Sequence, residues 1–134
     1  LLGKPAEARA LLEQARQQQL ANRFQGDLTD FTYPNLAKLT SRSDPQTAIT
    51  VLSEAKTLQA RTRNRLGLLR TLLLEARLAA LSNATPHGNE AILALAAEVP
   101  ALATCRLFQQ IMARWEIWTH DPDAIENGDA FWGL

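Results

Sequence analysis

Residues 59–82 read QARTRNRLGLLRTLLLEARLAALS, and this stretch decides the fold of the chain. Leu66, Leu69 and Leu73 follow the i, i+3, i+7 spacing of a helix, and Ala76 and Ala80 continue it. Three further leucines widen the apolar surface beyond a single face: Leu68, Leu72 and Leu81. A helix that is apolar most of the way round must be covered on both sides. The stretch therefore predicts a central helix with the other segments packed around it.

Two more helices are predicted before this stretch. Residues 4–20 are predicted to form the first helix. Pro5 is compatible with it, because proline is tolerated in the first turn of a helix. Its predicted apolar face consists of Ala8, Leu11, Leu12 and Ala15. The other helix begins at Pro45, after the capping residue Asp44, and runs to about Leu58. Between them, Gly26 and Pro34 interrupt the pattern. Since the residue before a proline avoids helical geometry, that segment predicts a short helix over 28–31 and another over 34–40.

After the central helix, residues 83–89 have the composition of a loop. A short helix is predicted over about 89–98, and a longer one over about 101–119. One face of the longer helix carries large apolar side chains: Leu107, Phe108, Ile111, Met112 and Trp115. Residues 121–134 read as a short acidic end. Because no segment shows the alternation of a strand, the predicted fold class is all-α.

An internal repeat is visible in two of these helices. Gly3 is followed by Ala8, Leu12 and Ala15, and Asp44 is followed by Ala48, Leu52 and Ala55. Each set is a turn followed by a small, a large and a small residue, and the sets lie about forty residues apart, in the range of paired-helix repeats. Small residues at such positions let a neighbouring helix approach closely.

These segments resemble the second helix of tetratricopeptide repeats (TPRs), and residues 59–82 resemble the first helix of the following repeat. Residues 44–83, DPQTAITVLSEAKTLQARTRNRLGLLRTLLLEARLAALSN, are similar to the long-repeat variety in MalT-type bacterial transcription regulators. The resemblance covers most of residues 1–98 and departs from the standard pattern in 21–43 and 83–89. It implies antiparallel helical hairpins stacked as a short TPR-like solenoid. For a MalT-type regulator it also implies an ATPase module and a DNA-binding module on either side.

Composition narrows the classes of function. The 14 basic and 14 acidic side chains cancel, so net charge favours neither nucleic acid nor a membrane surface as a partner. The apolar run over 66–81 contains charges and is too short to span a bilayer. A single cysteine excludes an internal disulfide and agrees with a cytoplasmic location. Because the chain starts at Leu1, we expect residues 1–134 to be a single helical-repeat domain of a larger protein.

The candidate partner-binding residues are Arg63, Arg70, Arg77 and Trp118. The three arginines recur every seven residues and would form a basic line on the central helix, suited to an acidic partner. The alternative is that they form a solvated edge whose stems cover leucines. Trp115 has the spacing of a core residue, whereas Trp118 and Trp132 are expected on a surface that a flanking region of the larger protein or a partner covers.

No catalytic or metal-binding motif is present. The two histidines lack the ligand spacing of a zinc site, and there is no phosphate-binding loop or nucleophile elbow. We therefore expect no enzymatic activity, no metal and no cofactor. The sequence favours a binding module for a protein or peptide partner, without chemistry of its own. The alternative, implied by the MalT-type resemblance, is a regulatory region for transcription that senses a small-molecule effector.

Overall fold

A computed structural model describes residues 4–21, 29–82 and 88–121. Its elements are α1 (Pro5–Ala21), α2 (Thr29–Thr40), α3 (Pro45–Arg61), α4 (Arg65–Leu81), α5 (Asn89–Ala97), α6 (Pro100–Ala103), α7 (Arg106–Ala113) and α8 (Trp115–His120). All regular elements in these ranges are helices, which confirms the all-α prediction. The chain divides into two compact units, Leu1–Thr71 and Leu72–Leu134, with the boundary inside α4. The assignment of residues 1–134 to one domain stays a prediction.

In the first unit, α1 and α2 form an antiparallel pair. Gln19 lies near the end of α1, and Thr32 lies near the start of α2. The Gln19 Nε2 donates to the Thr32 Oγ1 at a distance of 3.1 Å. Ala8 and Leu12 are buried as predicted. Leu11, however, is 65% exposed, so its place on the apolar face was wrong. The buried face of α1 is narrower than the sequence indicated and includes a polar residue.

Helix α2 is continuous, although two short helices were predicted for this segment. Pro34 lies inside it and removes one backbone donor. The carbonyl group that would have accepted from an N–H at position 34 is that of Asp30; the Asn35 side chain adds a separate bond, since its Nδ2 donates to the carbonyl oxygen of Phe31 at 2.8 Å. Three apolar residues of α2 are also completely buried: Tyr33, Leu36 and Ala37. Since α2 packs against both α1 and α3, burial outweighs the local cost of the proline.

Helix α3 begins as predicted. Asp44 caps it, accepting hydrogen bonds from the Thr47 backbone N–H at 3.1 Å and from the Thr47 hydroxyl at 2.6 Å. These bonds, with a smaller contribution from Arg9, lower the pKa of Asp44. The small–large–small residues Ala48, Leu52 and Ala55 are buried. The helix extends to Arg61, one turn beyond the predicted end.

The predicted central helix over 59–82 is broken at its start. The Thr62 backbone N–H bonds back to the Leu58 carbonyl oxygen at 3.0 Å, and Arg63 has a left-handed backbone with φ 56°. Helix α4 therefore begins only at Arg65. Leu69 and Leu73 are completely buried, as expected. Three residues behave differently from the prediction of an all-round apolar helix: Leu66 is 50% exposed, Leu81 is 55% exposed, and Leu68 is half-buried.

In the second unit, the helix predicted over 101–119 is divided into α6, α7 and α8. The Thr104 hydroxyl donates to the carbonyl oxygen of Ala101 at 3.1 Å, and the Gln109 side chain donates to that of Ala103. These bonds satisfy carbonyl groups where α6 ends. Arg114 leaves helical geometry, with φ −120° and ψ 37°, between α7 and α8. Phe108, Ile111 and Trp115 are buried as predicted.

No helix in the described ranges is both long and apolar enough to cross a membrane. The predicted loop over 83–89 and the acidic end after Asp121 lie mostly outside the described residues, as do His87 and Trp132.

Candidate functional site

The three arginines of the predicted basic line do not share one helix. Arg63 is exposed in the turn between α3 and α4, because the chain reverses there with a left-handed residue. Arg70 and Arg77 lie on α4 and are both half-buried. The line of three is therefore wrong, and two arginines seven residues apart remain on α4. A role for any of them in partner binding stays a prediction.

Trp118 is not a surface residue. Its side chain is completely buried, and its ring centroid lies 5.8 Å from that of Trp115. The Arg77 guanidinium lies 6.0 Å from the Trp118 ring centroid, and its Nη1 donates to the Trp118 carbonyl oxygen at 3.4 Å. The expectation of an exposed aromatic anchor was thus wrong. Helical spacing identified the buried Trp115 but did not anticipate the separate helix that turns Trp118 inward.

A groove of about 440 Å³ lies on the surface of the first unit, between the end of α1 and one face of α3. Its lining residues are Leu20, Ile49, Thr50, Ser53, Glu54, Thr57, Leu58 and Arg61. Leu20 and Ile49 are large apolar side chains exposed by 42% and 58%. Apolar area exposed in a concave surface is typical of sites that bind another molecule. Sequence patterns did not predict this groove, since its residues come from two separate helices.

One wall of the groove is fixed by a strong ion pair. Arg16 Nε and Nη2 donate to the two carboxylate oxygens of Glu54, each at a distance of 2.6 Å. Arg16 Nη1 also donates to Glu13 Oε1 at 2.6 Å. The Arg16 side chain is only 15% exposed, and its hydrogen bond with Glu54 is the main cause that raises its pKa. A two-point arginine–carboxylate pair of this kind fixes the relative position of α1 and α3.

The same helices make a second contact closer to their N-terminal ends. Arg9 Nη2 lies 3.4 Å from Oδ2 of Asp44. Arg9 precedes Arg16 on the first helix, and their partners Asp44 and Glu54 follow in the same order along the chain. Helices α1 and α3 therefore run parallel. Leu20 follows Arg16 by one turn, just as Leu58 follows Glu54. Leu20 and Leu58 therefore lie towards the C-terminal end of the groove, beside Arg61.

Arg61 is the uncompensated charge of the groove. It is exposed, and it makes no ion pair with another described residue. Glu54, the other charged lining residue, is paired with Arg16, which also pairs with Glu13. The groove thus combines apolar surface with an arginine at its C-terminal end that has no ion-pair partner among the described residues.

A partly buried polar junction lies where α2, α3 and α4 meet. The Asp30 carboxylate accepts from Gln59 Nε2 and from Asn64 Nδ2, each at 2.9 Å. Gln59 Oε1 accepts from the Thr71 hydroxyl at 2.8 Å, and Asn64 Oδ1 accepts from the Gly67 backbone N–H at 2.9 Å. Since the polar groups pair with one another, this junction holds the turn between α3 and α4 in place.

Two buried polar atoms in the first unit have no hydrogen-bond partner among the described residues: Tyr33 Oη and Gln19 Oε1. Burial, with the negative charge of Glu54, raises the pKa of Tyr33 to about 12. Both residues belong to the α1–α2 pair.

Within the described ranges, no group of three or more histidine, cysteine, aspartate or glutamate side chains is arranged to hold a metal ion. Comparisons of the chain with protein-family models, with curated proteins and with solved structures found no match. The groove between α1 and α3 is the candidate functional site of the described residues.

Proposed function

We propose that this chain is a helical-repeat binding module that holds a segment of another protein in the groove between α1 and α3. The observation that carries the proposal is the exposed apolar pair Leu20 and Ile49, placed in a concave surface whose wall is fixed by Arg16 and Glu54. A preformed groove avoids much of the entropic cost of ordering the site on binding.

The TPR-like arrangement belongs to the same proposal. The small–large–small residues are buried in α3, and α2 packs against both α1 and α3, which is the neighbour pattern that stacked hairpins require. The module would act by holding a partner in place.

The proposal is tested by selecting binders from a displayed library of random peptides on the whole chain and measuring their affinities by fluorescence anisotropy. Ile49→Lys should weaken binding by about tenfold or more, because it places a charge where apolar surface is buried. Leu11→Lys is the matched control, since Leu11 is similarly exposed, at 65% against 58% for Ile49, and does not line the groove. Equal effects of the two substitutions, or no selected binder, would refute the proposal.

Arg70→Glu in the same assay tests the basic residues of α4. The groove proposal predicts that this change leaves the affinity within about twofold, because Arg70 does not line the groove. A large loss of affinity with unchanged stability would instead place the partner on α4.

The effector-sensing alternative, suggested by the MalT-type resemblance, makes a different prediction. A small effector that binds the folded chain should raise its melting temperature. A positive effector in a thermal-shift screen, with no selected peptide, would favour this alternative over the binding module.

A further inference from the structure

We propose that the segment bound in this groove is an acidic amphipathic helix, with a carboxylate paired to Arg61 and an apolar side chain against Leu20 and Leu58. This inference rests on the proposed function and adds the chemistry of the partner and its direction in the groove. Three observations carry it: the length of the groove, the hydrogen bonding of its threonines, and the position of Arg61, which has no ion-pair partner among the described residues.

The lining residues of α3 extend from Ile49 to Arg61. At 1.5 Å per residue, this face is about 18 Å long. It therefore accommodates about three turns of a partner helix, or roughly 12 residues. A bound helix of that length would contact both the apolar end at Ile49 and the charged end at Arg61.

The hydroxyl groups of the groove favour a helix over an extended peptide. Thr50 Oγ1 donates to the carbonyl oxygen of Gln46, and Thr57 Oγ1 donates to that of Ser53, each at 3.0 Å. Both donors are thus used within α3. An extended segment brings unpaired backbone carbonyl groups that need donors, whereas a helix pairs its backbone groups internally. The short side chains of Thr50, Ser53 and Thr57 also let another helix approach α3 closely.

Charge then sets the orientation of the partner. Both carboxylate oxygens of Glu54 already accept hydrogen bonds from Arg16, so a second cation would have to compete with this pair. Arg61 has no ion-pair partner among the described residues and lies beside Leu20 and Leu58. A carboxylate near Arg61 gains a charge-assisted hydrogen bond, while an apolar side chain one turn away covers the exposed surface of Leu20 beside Leu58. An acidic residue three or four positions from an apolar anchor meets both conditions on one helical face.

The experiment extends the peptide selection on the whole chain. The library displays random peptides of about 12 residues, the length that matches the groove. Selected peptides should be enriched in aspartate or glutamate three or four positions from a leucine, isoleucine or phenylalanine. Their circular dichroism should become helical on binding. Arg61→Glu should weaken their affinity about tenfold, and Arg61→Lys, which retains the charge, should restore most of it.

Arg42→Glu is the matched control. Arg42 is exposed in the turn before α3 and does not line the groove, so its reversal alters net charge equally and should change the affinity by less than about twofold. If Ile49→Lys abolishes binding but Arg61→Glu does not, and no acidic enrichment appears, the acidic-helix inference is overturned and the groove proposal stands. If Ile49→Lys has no effect either, both are overturned.

Discussion

Gly67 gives the sharpest test of the junction between α2, α3 and α4. A Cβ atom built at this position would lie 2.6 Å from Asn64 Nδ2 and 2.8 Å from Asn64 Cγ, and also against the Asp30 carboxylate. Gly67→Ala must therefore displace Asn64. This displacement breaks the hydrogen bond from Asn64 to Asp30 and the cap from Asn64 to the Gly67 backbone N–H.

The magnitude follows from three contributions. Alanine in a helix is favoured over glycine by about 1 kcal/mol. Losing a hydrogen bond to a charged group costs about 1.5–3 kcal/mol, and losing a helix cap costs about 1 kcal/mol. The sum is a destabilisation of about 1.5–3 kcal/mol, opposite in sign to helix propensity alone. Urea unfolding of the whole chain, followed by far-ultraviolet circular dichroism, measures it.

The control removes the obstacle. In a chain that already carries Asp30→Ala and Asn64→Ala, the atoms nearest to position 67 are gone. There, Gly67→Ala should stabilise the fold by up to about 1 kcal/mol through helix propensity. If Gly67→Ala also stabilised the chain that keeps Asp30 and Asn64, these two side chains would not lie against position 67 as described.

Two further predictions concern buried side chains. Leu73→Ala should lower the free energy of unfolding by about 2–5 kcal/mol, because Leu73 is completely buried. Leu66 is 50% exposed, so Leu66→Ala should cost under about 1 kcal/mol in the same urea experiment. Tyr33, the only tyrosine, should ionise near its raised pKa of about 12 when tyrosinate absorbance is followed against pH. Because the folded chain holds this proton more tightly than the unfolded chain, the stabilising contribution is complete below pH 10 and should be lost between pH 10 and about 12. Tyr33→Phe should remove this fall in stability with pH. A tyrosinate titration with its midpoint near pH 10 would contradict the burial of the hydroxyl.

Helical periodicity and caps predicted much of this fold. The starts of α1 and α3, the burial of Ala48, Leu52 and Leu73, and the all-α class follow from spacing and from the Asp44 cap. These features are local, so a single helix contains the information that determines them.

The failures arise where contacts distant in sequence compete with local preference. Pro34 predicted a break, but the burial of its neighbours keeps α2 intact. Apolar continuity predicted one central helix, but the side chain of Asn64, held by Asp30 from another helix, fixes a turn there. The groove was not predicted because Leu20 and Ile49 are unremarkable residues until α1 and α3 lie side by side.

The close approach at Gly67 also predicts how related sequences should vary. Position 67 tolerates a side chain only when positions 30 and 64 carry small ones, so these three positions should change together among homologues. A glycine three residues after an asparagine, paired with an aspartate one helical hairpin earlier, is then a signature for this kind of turn. Searching for that covariation offers a way to find relatives whose overall similarity is too low to detect.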